Sequence, residues 1–235
     1  MDEINRDPRE DISLIKEMLE RAMDDMKPIV PWFTGFGIVW LIYGAFSALQ
    51  RVLMPNVPLS VAMNLSRAGS IAGVLFCLVT AVGYIACRRS SACRNLDSLA
   101  GKLLDMWGVC IFLYLLLTLL VNPVMQIAAA HSVSQQAAQG LYKACALCRS
   151  FLFFLFPAAP LLITARFLGS RKMFLAGILL AVLAAIVISC HGLLLFDDTG
   201  TIGEGLLYLW CAAACILDLS PGIMLLRFAH QLKER

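Results

Sequence analysis

Apolar residues in this chain come in long blocks, and polar residues gather in the short stretches between them. Six blocks approach 20 residues: about 31–49, 68–87, 106–128, 149–167, 173–195 and 206–226. At a rise of about 1.5 Å per residue, such a block covers the roughly 30 Å hydrocarbon core of a bilayer. The pattern therefore predicts an all-α fold, a membrane bundle of six transmembrane helices across residues 29–227. A short basic tail, 228–235, is expected to follow it. The first 28 residues have a different rhythm. Asp7 suits a helix N-cap, Pro8 the first helical position, and Glu10 completes a capping box. Ile12, Ile15, Leu19, Ala22 and Met26 then recur at steps of three and four, a seam widened by Met18 and Met23. Glu17 and Arg21 form a favourable i,i+4 pair on the other side. One amphipathic helix is predicted, ending near Lys27 and Pro28.

Composition agrees with the block pattern. Hydrophobic residues make up 60% of the chain and charged residues 15%, with mean hydropathy +0.80. Soluble domains hold about 45–50% apolar and about 25% charged residues. No cleavable signal pattern is present, because roughly 30 mostly polar residues precede the first block, so the first span is expected to direct its own insertion. Orientation follows from lysine and arginine. With the N-terminus inside, Arg6, Arg9, Lys16, Arg21, Lys27, Arg88, Arg89, Arg94, Lys102, Arg166, Arg171, Lys172, Arg227, Lys233 and Arg235 fall on the cytoplasmic side. Only Arg51, Arg67, Lys143 and Arg149 of the 19 basic residues fall outside. This asymmetry predicts a multi-pass protein of the cell membrane with both termini in the cytoplasm.

Net charge refines the partners. The chain carries +3 overall, yet its first 27 residues carry −4. Anionic lipid headgroups would repel an acidic helix, whose expected contacts are the chain's own basic rim, a second copy or a cytosolic protein. The basic residues flank spans and form no separate basic domain, which excludes nucleic acid as a partner and leaves the lipid bilayer as the certain one. The leader stretch ISLIKEMLERA, followed closely by the Gly- and aromatic-rich WFTGFGIVWLIYGAF, resembles a loose group of uncharacterised bacterial multi-span membrane proteins. The likeness covers about the first fifty residues. It implies a bacterial membrane and carries over no functional residue.

Few residues suggest chemistry. Asp218 lies within LDLSPG, about 18 Å along the sixth span, where an unpaired carboxylate is costly. Cys211, Ala214, Cys215, Pro221 and Gly222 share its helical face. No span holds a Lys, Arg or His near that depth, so the expected partners are hydroxyls: Tyr43, Thr80, Tyr84, Tyr114 or Thr118. Pro221 leaves the Leu217 carbonyl without its helical donor. Pro157 and Pro160 interrupt the fourth span in the same way, and two broken spans at one depth would suit a transporter. Cys145 and Cys148 form a C-x-x-C at the outer mouth of the fourth span, which a thiol-redox protein or a metal site would use. The packing alternative covers the other cysteines. Asp197, Asp198 and Glu204 lack calcium-loop spacing, and no nucleotide-, phosphate- or metalloprotease-type motif occurs. No cofactor is expected. The leading expectation is a non-enzymatic membrane protein using its N-terminal helix for self-association or cytosolic contact. The alternatives are an ion-coupled carrier centred on Asp218 and a membrane thiol-redox protein.

Overall fold

The structure, a computed structural model, describes residues 17, 24–53, 57–90, 98–131, 140, 143–144, 147–148, 150–151, 153–155, 157–196 and 204–234. Regular structure among the described residues is entirely helical. A 3-10 turn, Lys27–Ile29, leads into α1 (Val30–Leu53). It is followed by α2 (Leu59–Arg89), α3 (Leu99–Ala130), the short α4 (Ala158–Phe167), α5 (Arg171–Phe196) and α6 (Glu204–Glu234). Among the described residues, four helical stretches are long and apolar enough to cross a membrane: Lys27–Leu53, Arg67–Arg89, Arg171–Leu195 and Gly205–Glu234. Large apolar side chains point outward from all of them, as Ile42, Val82, Leu179 and Leu209 do. So much exposed hydrocarbon suits lipid and would aggregate in water.

Helix ends account for most differences from the hydrophobic blocks. α1 runs one turn beyond residue 49, α2 begins at Leu59, and α3 begins at Leu99. Ser98 explains the last: its Oγ accepts a hydrogen bond from the Gly101 amide at 3.0 Å, capping α3 well before its apolar block. Among the described residues the fourth block ends in the ten-residue α4. Pro157 sits at its N-cap, and Pro160 lies in its first turn, where a missing N–H costs little. Just past the C-cap of α4, Gly169 has a φ of +63°, the left-handed conformation that closes a helix C-terminus, and the Ser170 amide returns to the Ala165 carbonyl. The tail expected from 228 onward continues α6, with Phe228, Ala229 and Leu232 buried.

The centre of the bundle is aromatic. Trp32, Phe33, Phe36, Trp40, Phe76, Trp107, Phe153 and Phe228 are buried and meet ring to ring, for instance Phe36 edge-on to Trp107 with centroids 5.5 Å apart. α1 packs closely along α6, with Gly37 facing Gly222, Gly44 facing Asp218 and the Ala48 carbonyl near Cys215. Residue numbers rise on one helix as they fall on the other, so the two are antiparallel. Met26 and Ile29 are buried at the entrance to α1, beside α3 and α6. Of the expected contact seam, Met26 thus belongs to the chain's own core. Ile12, Ile15, Leu19 and Ala22 lie outside the described residues.

Candidate functional site

α1 presents Gly37, Trp40, Gly44, Ser47 and Arg51 at steps of three and four, a single helical face turned toward α6. The two glycines let the backbones meet. A Cβ added at Gly44 would overlap the Asp218 carbonyl oxygen and lie 2.8 Å from its carbon. Trp40 Nε1 donates to that same carbonyl oxygen at 3.0 Å. Close contact, small residues and one indole bond fix Asp218 against α1.

The Asp218 side chain is fully buried and forms an ion pair with Arg51. Arg51 Nη2 stands 3.4 Å from Oδ1 and 3.3 Å from Oδ2, and the Ser47 hydroxyl donates to the carboxylate as well. The sequence expectation of hydroxyl partners alone is therefore corrected. Arg51 was placed in an outer loop, but α1 continues past it, and its long side chain reaches back along the helix. Its guanidinium lies 5.4 Å from the Phe154 ring centre and 5.0 Å from that of Trp210. Two aromatic faces and a carboxylate compensate the charge, leaving the side chain 19% exposed.

The other residues singled out in the sequence separate from this pair. α6 is continuous through Pro221, correcting the expectation of a broken sixth span. Ser220 explains this locally, its hydroxyl donating to Ile216 O at 2.6 Å and lying 3.5 Å from the freed Leu217 carbonyl. Pro157 and Pro160 line a partly enclosed cavity of about 30 Å³ on another side of Trp40. Asp218 is not in its wall, so the prolines and the carboxylate do not share one site. Cys148 carries an exposed free thiol, and Cys145 lies outside the described residues. Among the described residues no three His, Cys, Asp or Glu side chains converge for a metal, His191 included. Its Nδ1 instead lies 2.7 Å from Ser150 Oγ, and its ring packs at a tilt against Trp210, with centroids 4.9 Å apart. Trp210 thus links His191 of α5 to the Arg51 pair.

A second polar tie closes α2 on α3. Arg88 Nε and Nη2 reach Asp105 Oδ1 and Oδ2 at 3.0 and 3.1 Å, a two-point fork, and the Tyr84 hydroxyl donates to Oδ1 at 3.2 Å. Trp107 Nε1 donates to Thr164 Oγ1 at 3.1 Å, joining α3 to α4. Sequence reading missed Arg51, Arg88 and Asp105 as partners. The usable signal for Arg51 was its spacing from Gly44 and Ser47, which prolongs the small-residue face by one turn. Compared with protein-family descriptions, curated proteins and solved structures, the chain shows no match.

Proposed function

We propose that the chain is an integral membrane protein with six spans and both termini cytoplasmic, in a bacterial membrane. It acts without catalytic chemistry, through self-association or contact with a cytosolic partner at residues 1–28. Four long apolar helices and the clustering of basic residues support the membrane reading, and the count of six rests on the apolar length of the third and fourth sequence blocks.

The observation that carries the choice is the state of Asp218. A carboxylate serving as a proton or cation relay needs access to water and freedom to exchange partners. Here it is buried, engaged by Arg51 and Ser47, and backed by a helix contact with no room for one added methyl group. That geometry favours a lock between α1 and α6. The leader is the remaining distinctive element, with its acidic charge and apolar seam, and its junction is rooted in the core through Met26 and Ile29.

Ile15→Asp and Leu19→Asp test this reading. Each is expected to reduce chemical cross-linking between copies, or capture of a cytosolic protein, without altering membrane insertion. Unchanged association in both variants would overturn it. Gradient-driven cation or proton flux in liposomes that Asp218→Asn abolishes, at equal folded protein, would transfer the assignment to a carrier.

A further inference from the structure

The cavity between α1, α2, α3 and the start of α4 has walls suited to one class of occupant. Trp40, Trp107, Cys77, Cys110, Pro157 and Pro160 are among its lining residues. The surface that lines the cavity is apolar, and its indole and threonine donors are directed elsewhere. Trp40 Nε1 is held by the Asp218 carbonyl, Trp107 Nε1 by Thr164, and Thr80 Oγ1 donates to Phe76 O at 2.6 Å. A guest would therefore meet aromatic faces, thiols and methylenes. The volume, about 30 Å³, is roughly twice the minimum for a single water, but an apolar wall offers too little to replace the hydrogen bonds of bulk water. An empty void forfeits the dispersion contacts of its lining, whereas hydrocarbon restores them.

Depth identifies the hydrocarbon. Cys77 lies midway along the apolar stretch Arg67–Arg89, which on the membrane reading is the bilayer midplane. The groups concentrated at that depth are the methyl ends of lipid acyl chains. We propose that the cavity is a binding site for the end of a lipid acyl chain, seated against Cys77, Cys110 and the two prolines that begin α4. The proposal rests on the membrane assignment but not on the leader's role. Its consequence is a direct contact between the lipid interior and the α3–α4 joint, through the wall that carries Trp107 and Pro160.

The four tryptophans make the test tractable. Trp32 Nε1 and Trp210 Nε1 have no hydrogen-bond partner among the described residues, so Trp32→Phe and Trp210→Phe break no such bond. The double variant fluoresces only from Trp40 and Trp107, both in the cavity wall and both nearly inaccessible from outside, at 6% and 2% exposure. In vesicles of phosphatidylcholine brominated near the chain end, its emission is expected to fall by at least half relative to unbrominated vesicles. Bromine near the ester should quench much less. Cys110→Phe and, independently, Cys77→Leu fill the cavity and should restore most of the lost emission. Equal emission in end-brominated and unbrominated vesicles would overturn the proposal, as would quenching that neither filling variant relieves. Failure of the protein to float with the vesicles would instead count against the membrane assignment.

Discussion

Gly44 offers a sharp test of the α1–α6 contact, because its replacement can be judged against a glycine on the same helix. In Gly44→Ala the new Cβ would overlap the Asp218 carbonyl oxygen, and backbone on both sides leaves no flexible neighbour to yield. The helices must separate or slide. Either movement lengthens the Trp40–Asp218 hydrogen bond, now 3.0 Å, and strains the Arg51 pair, already at 3.3 Å. Overpacking costs about 1–3 kcal/mol and the loosened buried hydrogen bond about 1 kcal/mol more, while alanine returns at most about 1 kcal/mol in helix propensity. A net loss of about 1–3 kcal/mol is expected. Gly35→Ala is the control, since its Cβ would meet nothing within 4 Å and should leave stability unchanged or slightly raised. Reversible unfolding in mixed micelles, read by tryptophan emission, compares the two. Equal stability of the two variants would refute the close contact and the reasoning built on it.

Three further outcomes follow from the same geometry. Trp107→Phe should cost about 1 kcal/mol by removing the bond to Thr164, and Thr164→Val should cost less in the Trp107→Phe background than alone, because only its bond to the Pro160 carbonyl is then left to lose. Asp105→Asn, at the partly exposed Arg88 pair, should cost no more than about 1 kcal/mol and lose much of its effect at high salt. Ala48→Cys, in a chain retaining only Cys215 of its nine native cysteines, should form a disulfide under mild oxidation in membranes, whereas Leu49→Cys, exposed on another face, should not.

Long helices were legible in the sequence because apolar length and charge spacing are properties of the chain alone. The small-residue face of α6 was legible too, since Cys211, Ala214, Cys215 and Gly222 stand at helical spacing from Asp218. The partner on that face was not. Hydropathy ends a span where charge begins, so Arg51 was assigned to a loop, although a helix can extend past a charge whose side chain bends inward to a carboxylate. Pro221 misled in the opposite direction. Proline removes one donor, but the effect on a helix depends on local replacements, and Ser220 stands beside the freed carbonyl. Pro157 does interrupt the fourth block, because it falls at the N-cap of α4. Whether two prolines mark a shared site is a tertiary fact: Gly222, next to Pro221, lies against Gly37 and Leu41 of α1, whereas Pro157 and Pro160 line the apolar cavity. The same limit applied to Met26, which fits an exposed seam by periodicity and is buried by the fold.

The central claim is that Asp218 serves as the lock between α1 and α6, and a double-mutant cycle with Arg51 tests it most directly. Arg51→Met strands a fully buried carboxylate, a loss of about 3 kcal/mol or more. Asp218→Asn strands the guanidinium, whose 19% exposure and two aromatic faces reduce the loss to about 2 kcal/mol. Combining the two leaves no stranded charge, so the double variant should be more stable than the sum of the singles implies. The expected coupling is about 2 kcal/mol, roughly thirtyfold in the folding constant. A silent Asp218→Asn with strictly additive effects would contradict the lock and return Asp218 to the status of an unpaired group.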